Sequence, residues 1–284
     1  MPASLSDYQE GVRRALPSFF APVEVAASLP STMVRAAELA AAGAPEGATV
    51  VADAQSAGRG RLGRAWLAPA GSSLLLTVVL RPRLVPEQAW LTVAAAGVAL
   101  VDATAALLVR AAAEPPAVGL KWPNDLLVGG RKAAGMLAEA RSQGHRLDWV
   151  LLGVGVNVGQ LAGDFPAELA ARATSLRLAA GGEVDRVALL GAWGERFAGG
   201  YRALAAGEVD RTLAAYLERL DTLGRPVSAE LLGGEAVEGV AVGVGAGGAL
   251  TVRTAAGAEV AVPSGDVEHV RVLPEDRPGR PHLP

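Results

Sequence analysis

Cysteine is absent from the 284-residue chain. That excludes disulfides, thiolate metal sites, thioester intermediates and a cysteine nucleophile, and it makes a reducing cytoplasm the simplest setting. Histidine is nearly as scarce: His145, His269 and His282 are the only three. They fall in a loop, a C-terminal β segment and the tail, so neither a histidine metal centre nor a serine-histidine triad is expected. An excess of one charge is missing too. With 26 basic and 29 acidic residues the net charge is −3, which gives no general footprint for nucleic acid or a membrane surface, so any anion site must be local. The first twenty residues carry Arg13 and Arg14 but no long apolar run or small-residue cleavage site. The most apolar stretch, Ala94 to Val109, is interrupted by Asp102 and Thr104, and no bilayer span is expected.

Two further scarcities are informative. Arginine supplies almost all of the basic charge, and the only lysines are Lys121 and Lys132; the only asparagines are Asn124 and Asn157. A chain that uses guanidinium nearly everywhere, yet places two compact ammonium groups within twelve residues, points to a local need for them. What is abundant is apolar surface: 51% hydrophobic residues suffice for a sizeable core and, at this length, for two domains.

The residues up to about Phe20 read as a short helix at most, too little for a helix-turn-helix domain. Val23 to Ala26 reads as a strand, after which Ser31 and Thr32 offer N-cap hydroxyls to an alanine-rich helix ended by Gly43 and Pro45. Thr49 to Ala52 and Leu74 to Leu80 read as strands, and Pro86 opens a long helix to about Ala111, stopped by Pro115 and Pro116. Val118 to Trp122, Leu126 to Val128, Lys132 to Arg141 and Leu147 to Val158 follow as strands, with Gly129-Gly130 as a hairpin turn, giving a mostly antiparallel sheet. Gly159 to Gly182 is irregular. A helical region from Asp185 to Leu220 should break at Gly199-Gly200. Beyond Gly224, short valine-rich segments at Pro226 to Leu232, Ala236 to Val244, Ala249 to Thr254 and Glu259 to Val262 read as a small all-β barrel or sandwich. The proline-rich tail from Pro274 should be disordered. The expected class is α+β, with an N-terminal extension over 1–22, a main domain over 23–222, a β domain over 223–273 and a tail over 274–284.

Between the second and third strands lies QSAGRGRLGRAW, Gln55 to Trp66. Gly58, Gly60 and Gly63 formally match a dinucleotide fingerprint, but no helix follows to receive a pyrophosphate, and the companion motifs of a kinase are missing. What remains is a loop of three flexible glycines and three arginines, Arg59, Arg61 and Arg64, suited to a mobile cationic lid or to an ordinary solvated loop. KWPNDLLVGGRKAAGMLAEA, from Lys121 to Ala140, and GVGVN, from Gly153 to Asn157, form two more clusters at strand ends. Lys121 and Lys132, the polar pair Asn124 and Asp125, and the loop arginines together would make an anion site. Pro123, Asn124 and Asp125 can equally build a plain turn. Gly135, Gly153 and Gly155 mark either close approach of a ligand to the backbone or a bulge. Trp122 reads as core, and Glu139 as structural.

These three clusters, in this order, resemble the GRGRxGRxW, KWPNDL...RKxxGxLxE and GxGxN patterns of the biotin protein ligase family. The likeness runs from about Val25 to Val272 and takes in ATSL at Ala173 to Leu176. It implies a mixed sheet with flanking helices, related to class II aminoacyl-tRNA synthetases, followed by a small SH3-like barrel. It further implies an ATP-dependent enzyme that makes biotinyl-5′-AMP with Mg²⁺ and passes biotin to a lysine of a biotin carboxyl carrier protein. Carried over residue by residue, the likeness implies biotin contacts at Ser31, Thr32, Gln55, Arg59, Gly60, Arg61, Lys132, Gly135, Gly153 and Gly155. Adenylate contacts fall on Arg59, Arg61, Arg64, Trp66, Lys121, Asn124 and Asn157, and the catalytic cations are Lys132, Lys121, Arg59 and Arg61. Arg271 is a further candidate to reach ATP. Met33 departs from the asparagine that some members carry. The metal ligands are left unassigned, since no acidic cluster defines them. A lipoate or octanoate ligase of the same superfamily is the nearest alternative, and a non-enzymatic biotin-responsive interaction protein is another. An exposed edge of the sheet is where a homodimer would form.

Overall fold

The structure, a computed structural model, describes residues 4–264 and 267–272, the last six by their backbone alone. The tail expected over 274–284 and the side chain of Arg271 lie outside the described residues. The chain divides into two compact units, residues 1–219 and 220–284.

The first unit opens with helix α1, Leu5–Ala15, longer than the short helix expected and fixed at its start by a reciprocal capping box between Ser4 and Asp7. The N-terminal extension is part of this unit's core: Tyr8, Val12, Leu16 and Phe20 are all buried. Strand β1, Val23–Leu29, leads to α2, Thr32–Ala41, then to β2, Thr49–Gln55. Strand β3, Ser73–Leu80, is buried at every residue, as its unbroken apolar run requires of a central strand. Pro86 forms a single 3₁₀ turn, and helix α3, Leu91–Ala111, starts beyond it. Strands β4, Val118–Lys121; β5, Asp125–Val128; β6, Arg131–Gln143; and β7, Arg146–Asn157, follow as expected. Short helices α4, Ala167–Ala170, and α5, Leu176–Ala180, precede α6, Arg186–Ala205, and α7, Val209–Glu218.

The seven strands form one mixed sheet in the order β1-β2-β3-β7-β6-β5-β4. β1 and β2 are parallel and every other pair antiparallel. Helix α2 packs on β2, β3 and β7, while α3 packs against α6, α7 and strands β4 to β6. Helix α3 with its leading turn is long and apolar enough to cross a membrane by length and composition, so Asp102 and Thr104 do not by themselves disqualify it. Two-thirds of its apolar window is buried inside the fold, where Gly97 lets Leu120 and Met136 approach its backbone.

The expected break at Gly199-Gly200 is absent. Helix α6 runs through both glycines, and the chain turns instead at Gly207, whose φ of +94° suits a residue without a side chain. The reason is tertiary: Trp193, Phe197 and Tyr201 of α6 stack in succession and bury against Phe19 and Phe20, outweighing the weak helix propensity of the glycine pair.

The second unit carries β8, Pro226–Leu231; β9, Ala236–Val244; β10, Leu250–Arg253; β11, Glu259–Val262; and β12, Val267–Val272. They form an antiparallel sheet in the order β11-β10-β9-β8-β12, with Val227, Ala229, Ala241, Leu250, Val252 and Val262 buried inside.

Candidate functional site

Strand register assembles the floor of the site. Lys121 pairs with Asp125, Asp125 with Gly135, Gly135 with Gly155, and Gly155 with Leu75, so these residues form one row across β4, β5, β6, β7 and β3. Cross-strand neighbours share a face, and the two central glycines therefore open a slot flanked by Asp125 and Lys121. The next row on the same face contains Leu137, Gly153 and Thr77.

Lys132 would face away from Gly135 in a regular strand, since the two are three residues apart. A register shift between Leu126 and Leu127 inserts Ala133 as an extra residue of β6, and such a bulge turns the following side chains over. The ammonium of Lys132 thereby stands 3.5 Å from the point where a Cβ on Gly135 would lie. It is 2.6 Å from Asp125 Oδ1, close as an ion pair though not aligned as a hydrogen bond. Around the same carboxylate stand Lys121 and Arg61, both of whose pKa values are lowered, chiefly by burial and partly restored by Asp125. Lys132 and Arg172 lower that of Lys121 further. One carboxylate thus serves three nearby cations.

The backbone of Lys132 is held from the side by the segment that ends in Ala173 to Leu176. Its amide donates to the Arg172 carbonyl at 2.8 Å, and its carbonyl accepts from the Thr174 amide at 2.9 Å. Asn124 donates its side-chain amide to the Met136 carbonyl. Asn157 is buried, donates to the Thr174 carbonyl and accepts from Gln160. Both asparagines use these groups to fasten the strand ends.

The glycine loop is a small hairpin. Arg59 bridges Ala65, the Gly60 amide donates to the Arg64 carbonyl, and the Trp66 amide donates to the Gly58 carbonyl. A Cβ on Gly58 would lie 2.6 Å from the Trp66 carbonyl, so this closure needs glycine. The tip, Arg61–Gly63, is a 3₁₀ turn in which Leu62 adopts φ +54° with its side chain exposed. The loop lays the Trp66 ring into the glycine slot: a Cβ on Gly155 would be 2.8 Å from Trp66 Cε2, and one on Gly135 3.1 Å from Cζ3. Lys132 Nζ lies 5.7 Å from the centre of that ring. Gly153 makes room for Met33, whose Sδ would be 2.7 Å from an added Cβ.

Ser31 is the N-cap of helix α2, but the expected hydroxyl cap is not formed. Gln55 takes its place, accepting from the Thr32 amide at 2.6 Å and from Thr32 Oγ1 at 3.1 Å, while Thr77 Oγ1 donates to Thr32 Oγ1 at 2.9 Å. Ser31 Oγ and Trp66 Nε1 are thus left buried without a partner. Such groups are costly unless something meets them. Gln55, Gly58, Trp66, Pro69 and Asp164 line a cavity of about 350 Å³.

Arg61, Lys121, Lys132 and Trp66 therefore converge on Asp125 and the glycine slot, with Ser31, Thr32 and Gln55 grouped at the start of α2. Arg59 does not join the lysines: its guanidinium is 3.6 Å from Glu139, further along β6. The sequence motifs single out neither Thr77 nor Gln160, and they include Thr174 only as part of the ATSL segment. The signal for Thr77 was available, as a lone hydroxyl in the apolar run of β3. Among the described residues no group of three or more His, Cys, Asp or Glu side chains could hold a metal ion.

Residues 25–157 match the Biotin/lipoate A/B protein ligase family and residues 222–270 the Biotin protein ligase C terminal domain. The biotin--[acetyl-CoA-carboxylase] ligase of Mycobacterium tuberculosis is 38% identical over 253 residues, 88% of this chain and 89% of the relative. The bifunctional ligase/repressor BirA of Bacillus subtilis is 40% identical over 162 residues, 57% of this chain, which spans about half, 48%, of that relative. Among solved structures, a biotin protein ligase from Aquifex aeolicus in complex with biotin and ATP aligns with a TM-score of 0.72 at 26% identity, covering 89% of this chain and 100% of that one. With matching segments in both compact units and a relative aligned over most of its length, the chain belongs to the biotin protein ligase family.

Proposed function

We propose that this chain activates biotin with ATP and transfers it to a lysine of a biotin carboxyl carrier domain. The observation that carries the reading is the convergence of Lys121, Lys132 and Arg61 around a single carboxylate beside a slot floored by glycine. In the first step a biotin carboxylate oxygen attacks the α-phosphorus of ATP, the bond to the β-phosphate bridge breaks, and pyrophosphate leaves. Two anions must meet, and fixed cations in a partly desolvated site offset their repulsion and the charge that builds on the phosphorus. In the second step a carrier amine attacks the acyl carbon, the bond to AMP breaks, and the amine gives up a proton.

Lys132 is assigned to the reacting carboxylate and phosphate oxygens, with Lys121 and Arg61 on the phosphates. Ser31 and Trp66 present unpartnered buried polar groups of the kind a ureido ring or an adenylate would satisfy. Gln55 and Thr32 extend that polar edge. Gly58 to Trp66 serves as the lid, Arg59 leaving Glu139 to reach the adenylate while Arg64, Asn124 and Asn157 border the nucleotide. The residues of the site do not form a cage for Mg²⁺: Asp125 is its nearest carboxylate and is engaged by Lys132. The ion therefore belongs with the phosphates of ATP. We assign this chemistry to the cytoplasm, a reducing compartment that suits a chain without cysteine.

The test is a mass-shift assay with ATP, Mg²⁺, a biotin carboxyl carrier domain and either biotin or lipoate. One added biotin is expected. Transfer of lipoate alone would move the chain to the sister activity, and no pyrophosphate release with either acid would leave a binding protein only.

A further inference from the structure

The lid leaves the sheet at Gln55 and returns at Ser73, yet the ladder between β2 and β3 runs only from Thr49 opposite Val78 to Ala52 opposite Leu75. Beyond Ala52 the two stems of the loop are joined differently. Arg186, the first residue of α6, donates from Nη1 to Asp53 Oδ1 at 2.8 Å and to the Ser73 carbonyl at 3.0 Å. One guanidinium therefore grips the outgoing stem by a side chain and the incoming stem by its backbone. The Asp53 carbonyl also accepts from the Gly71 amide at 3.3 Å, and Ser73 Oγ accepts from Gln160 at 2.6 Å. The Arg186 and Asp53 side chains are only 18% and 20% exposed, so water screens the pair far less than the surface pairs of this molecule.

Burial of the pair is completed from α1. The ring of Tyr8 lies over the Arg186 guanidinium, 4.3 Å from its Cζ to the ring centroid, a geometry that adds attraction while excluding solvent. Tyr8 Oη is buried with no partner, so the ring and not the hydroxyl makes the contact. Helix α1 is seated on α6 where Gly11 meets Val187 and Gly191 meets Ala15, and Gln9 donates to the Val25 carbonyl at 3.2 Å.

We infer that Arg186, roofed by Tyr8, is a positioning residue that clasps both stems of the 56–72 loop, and that α1 acts on the site through this contact. The inference rests on the loop being the lid of the proposed reaction. With both stems fixed, the loop moves as a hinged unit and returns to one place over the glycine slot. With the clasp opened, the stems separate and the lid closes loosely, so the labile adenylate escapes. Formation of the adenylate draws on Lys132 and Lys121 across the sheet as well as on Arg61 of the loop, so it suffers less than retention does.

The experiment compares the full chain with Arg186→Gln, Arg186→Lys, Asp53→Asn, Tyr8→Leu and Tyr8→Phe. Trypsin cleavage after Arg59, Arg61 and Arg64 is timed in ligand-free protein, together with amide exchange in 56–73. The loss of preformed biotinyl-adenylate is timed separately. Arg186→Gln is expected to speed both loop cleavage and adenylate loss about tenfold, with adenylate formation slowed by clearly less than that, as a local opening would. Arg186→Lys should recover part of the effect, and Tyr8→Leu should shift both rates in the same direction by less. Tyr8→Phe should match the parent. Loop cleavage and adenylate retention unchanged in Arg186→Gln would overturn the clasp. So would a loosening spread evenly through α1, α6 and the sheet, the mark of mere structural damage. If Arg186→Gln does not fold, Asp53→Asn and Tyr8→Leu carry the same readouts. Should the parent chain make no adenylate, the ligase reading fails, while loop cleavage in ligand-free protein still decides the clasp.

Discussion

The two halves of the site are built on opposite principles. On one side, the β4 to β6 hairpins hold Lys121, Asp125 and Lys132 by strand register, a bulge and the flanking Ala173 segment, so each charge is fixed before any ligand arrives. On the other, the loop from Gly58 to Trp66 is held by three backbone contacts of its own, with a strained, exposed tip at Leu62. The rigid half is suited to stabilising charge at a set position, and the pliant half to covering what forms there. They meet where the Trp66 ring lies over Gly135 and Gly155, with Arg61 beside Asp125 and Arg59 beside Glu139.

If this division is right, removing a fixed cation should produce the largest loss of chemistry and leave the loop alone. Lys132→Ala is expected to slow adenylate formation by about 10²- to 10³-fold, the usual scale for one preorganised charge donor. Its unfolding midpoint and its loop cleavage by trypsin should stay near the parent's. Pyrophosphate release in a single turnover reads the first, and near-normal release would remove Lys132 from the chemistry.

The contact between the halves comes next. Gly155→Ala puts a methyl 2.8 Å from the Trp66 ring, and the ring must leave the slot. Adenylation is expected to fall about 10- to 100-fold, the range for small misplacements near reacting groups. Tryptophan fluorescence should report the displaced ring, and an unshifted spectrum with lost activity would mean the glycine serves the ligand directly.

Much of this arrangement can be read in the chain itself. The apolar runs of β3 and β7, the Gly129-Gly130 turn and the paired lysines identify the strands and the cationic half, because each is a local signal. The bulge at Ala133 is not local. It depends on β5 having one residue fewer than β6 between fixed pairs, and without it Lys132 would face α3. The same holds for Gln55, which caps α2 from a strand 23 positions away, for Arg59, whose partner Glu139 lies on a distant strand, and for α6, whose aromatic stack outweighs Gly199 and Gly200. The clasp by Arg186 joins residues 133 and 113 positions apart; no spacing rule reaches that far.

A third substitution separates stability from function within the rigid half. Burial lowers the pKa of Lys121 below its ordinary 10.5, so between that lowered value and 10.5 the unfolded chain binds more protons than the folded one. By linkage, this group makes stability rise with pH across that window, and below it the charged amine costs folding energy. Lys121→Met should therefore raise the unfolding midpoint at neutral pH and remove this upward slope. It should also weaken ATP-dependent adenylation by about tenfold through loss of a charged donor. Parallel melting curves for parent and variant up to pH values near 10.5 measure the difference, and a variant less stable at neutral pH would show that Asp125 outweighs burial.

The smallest effect tests the pliant half. Arg59 and Glu139 are 3.6 Å apart with side chains 52% and 39% exposed, a pair of the kind worth less than about 1 kcal/mol. Were Glu139 a structural anchor for the strand, Glu139→Gln would weaken adenylate binding or leave it unchanged. Because the pair holds Arg59 away from the lysines, its loss should free the arginine for the adenylate, strengthening binding by about twofold at low salt, with the gain fading as salt screens the exposed pair. Titration of a non-hydrolysable adenylate analogue at two ionic strengths reads both the sign and the salt dependence. A tighter complex at low salt assigns Glu139 to the open position of the lid, and a looser one returns it to the sheet.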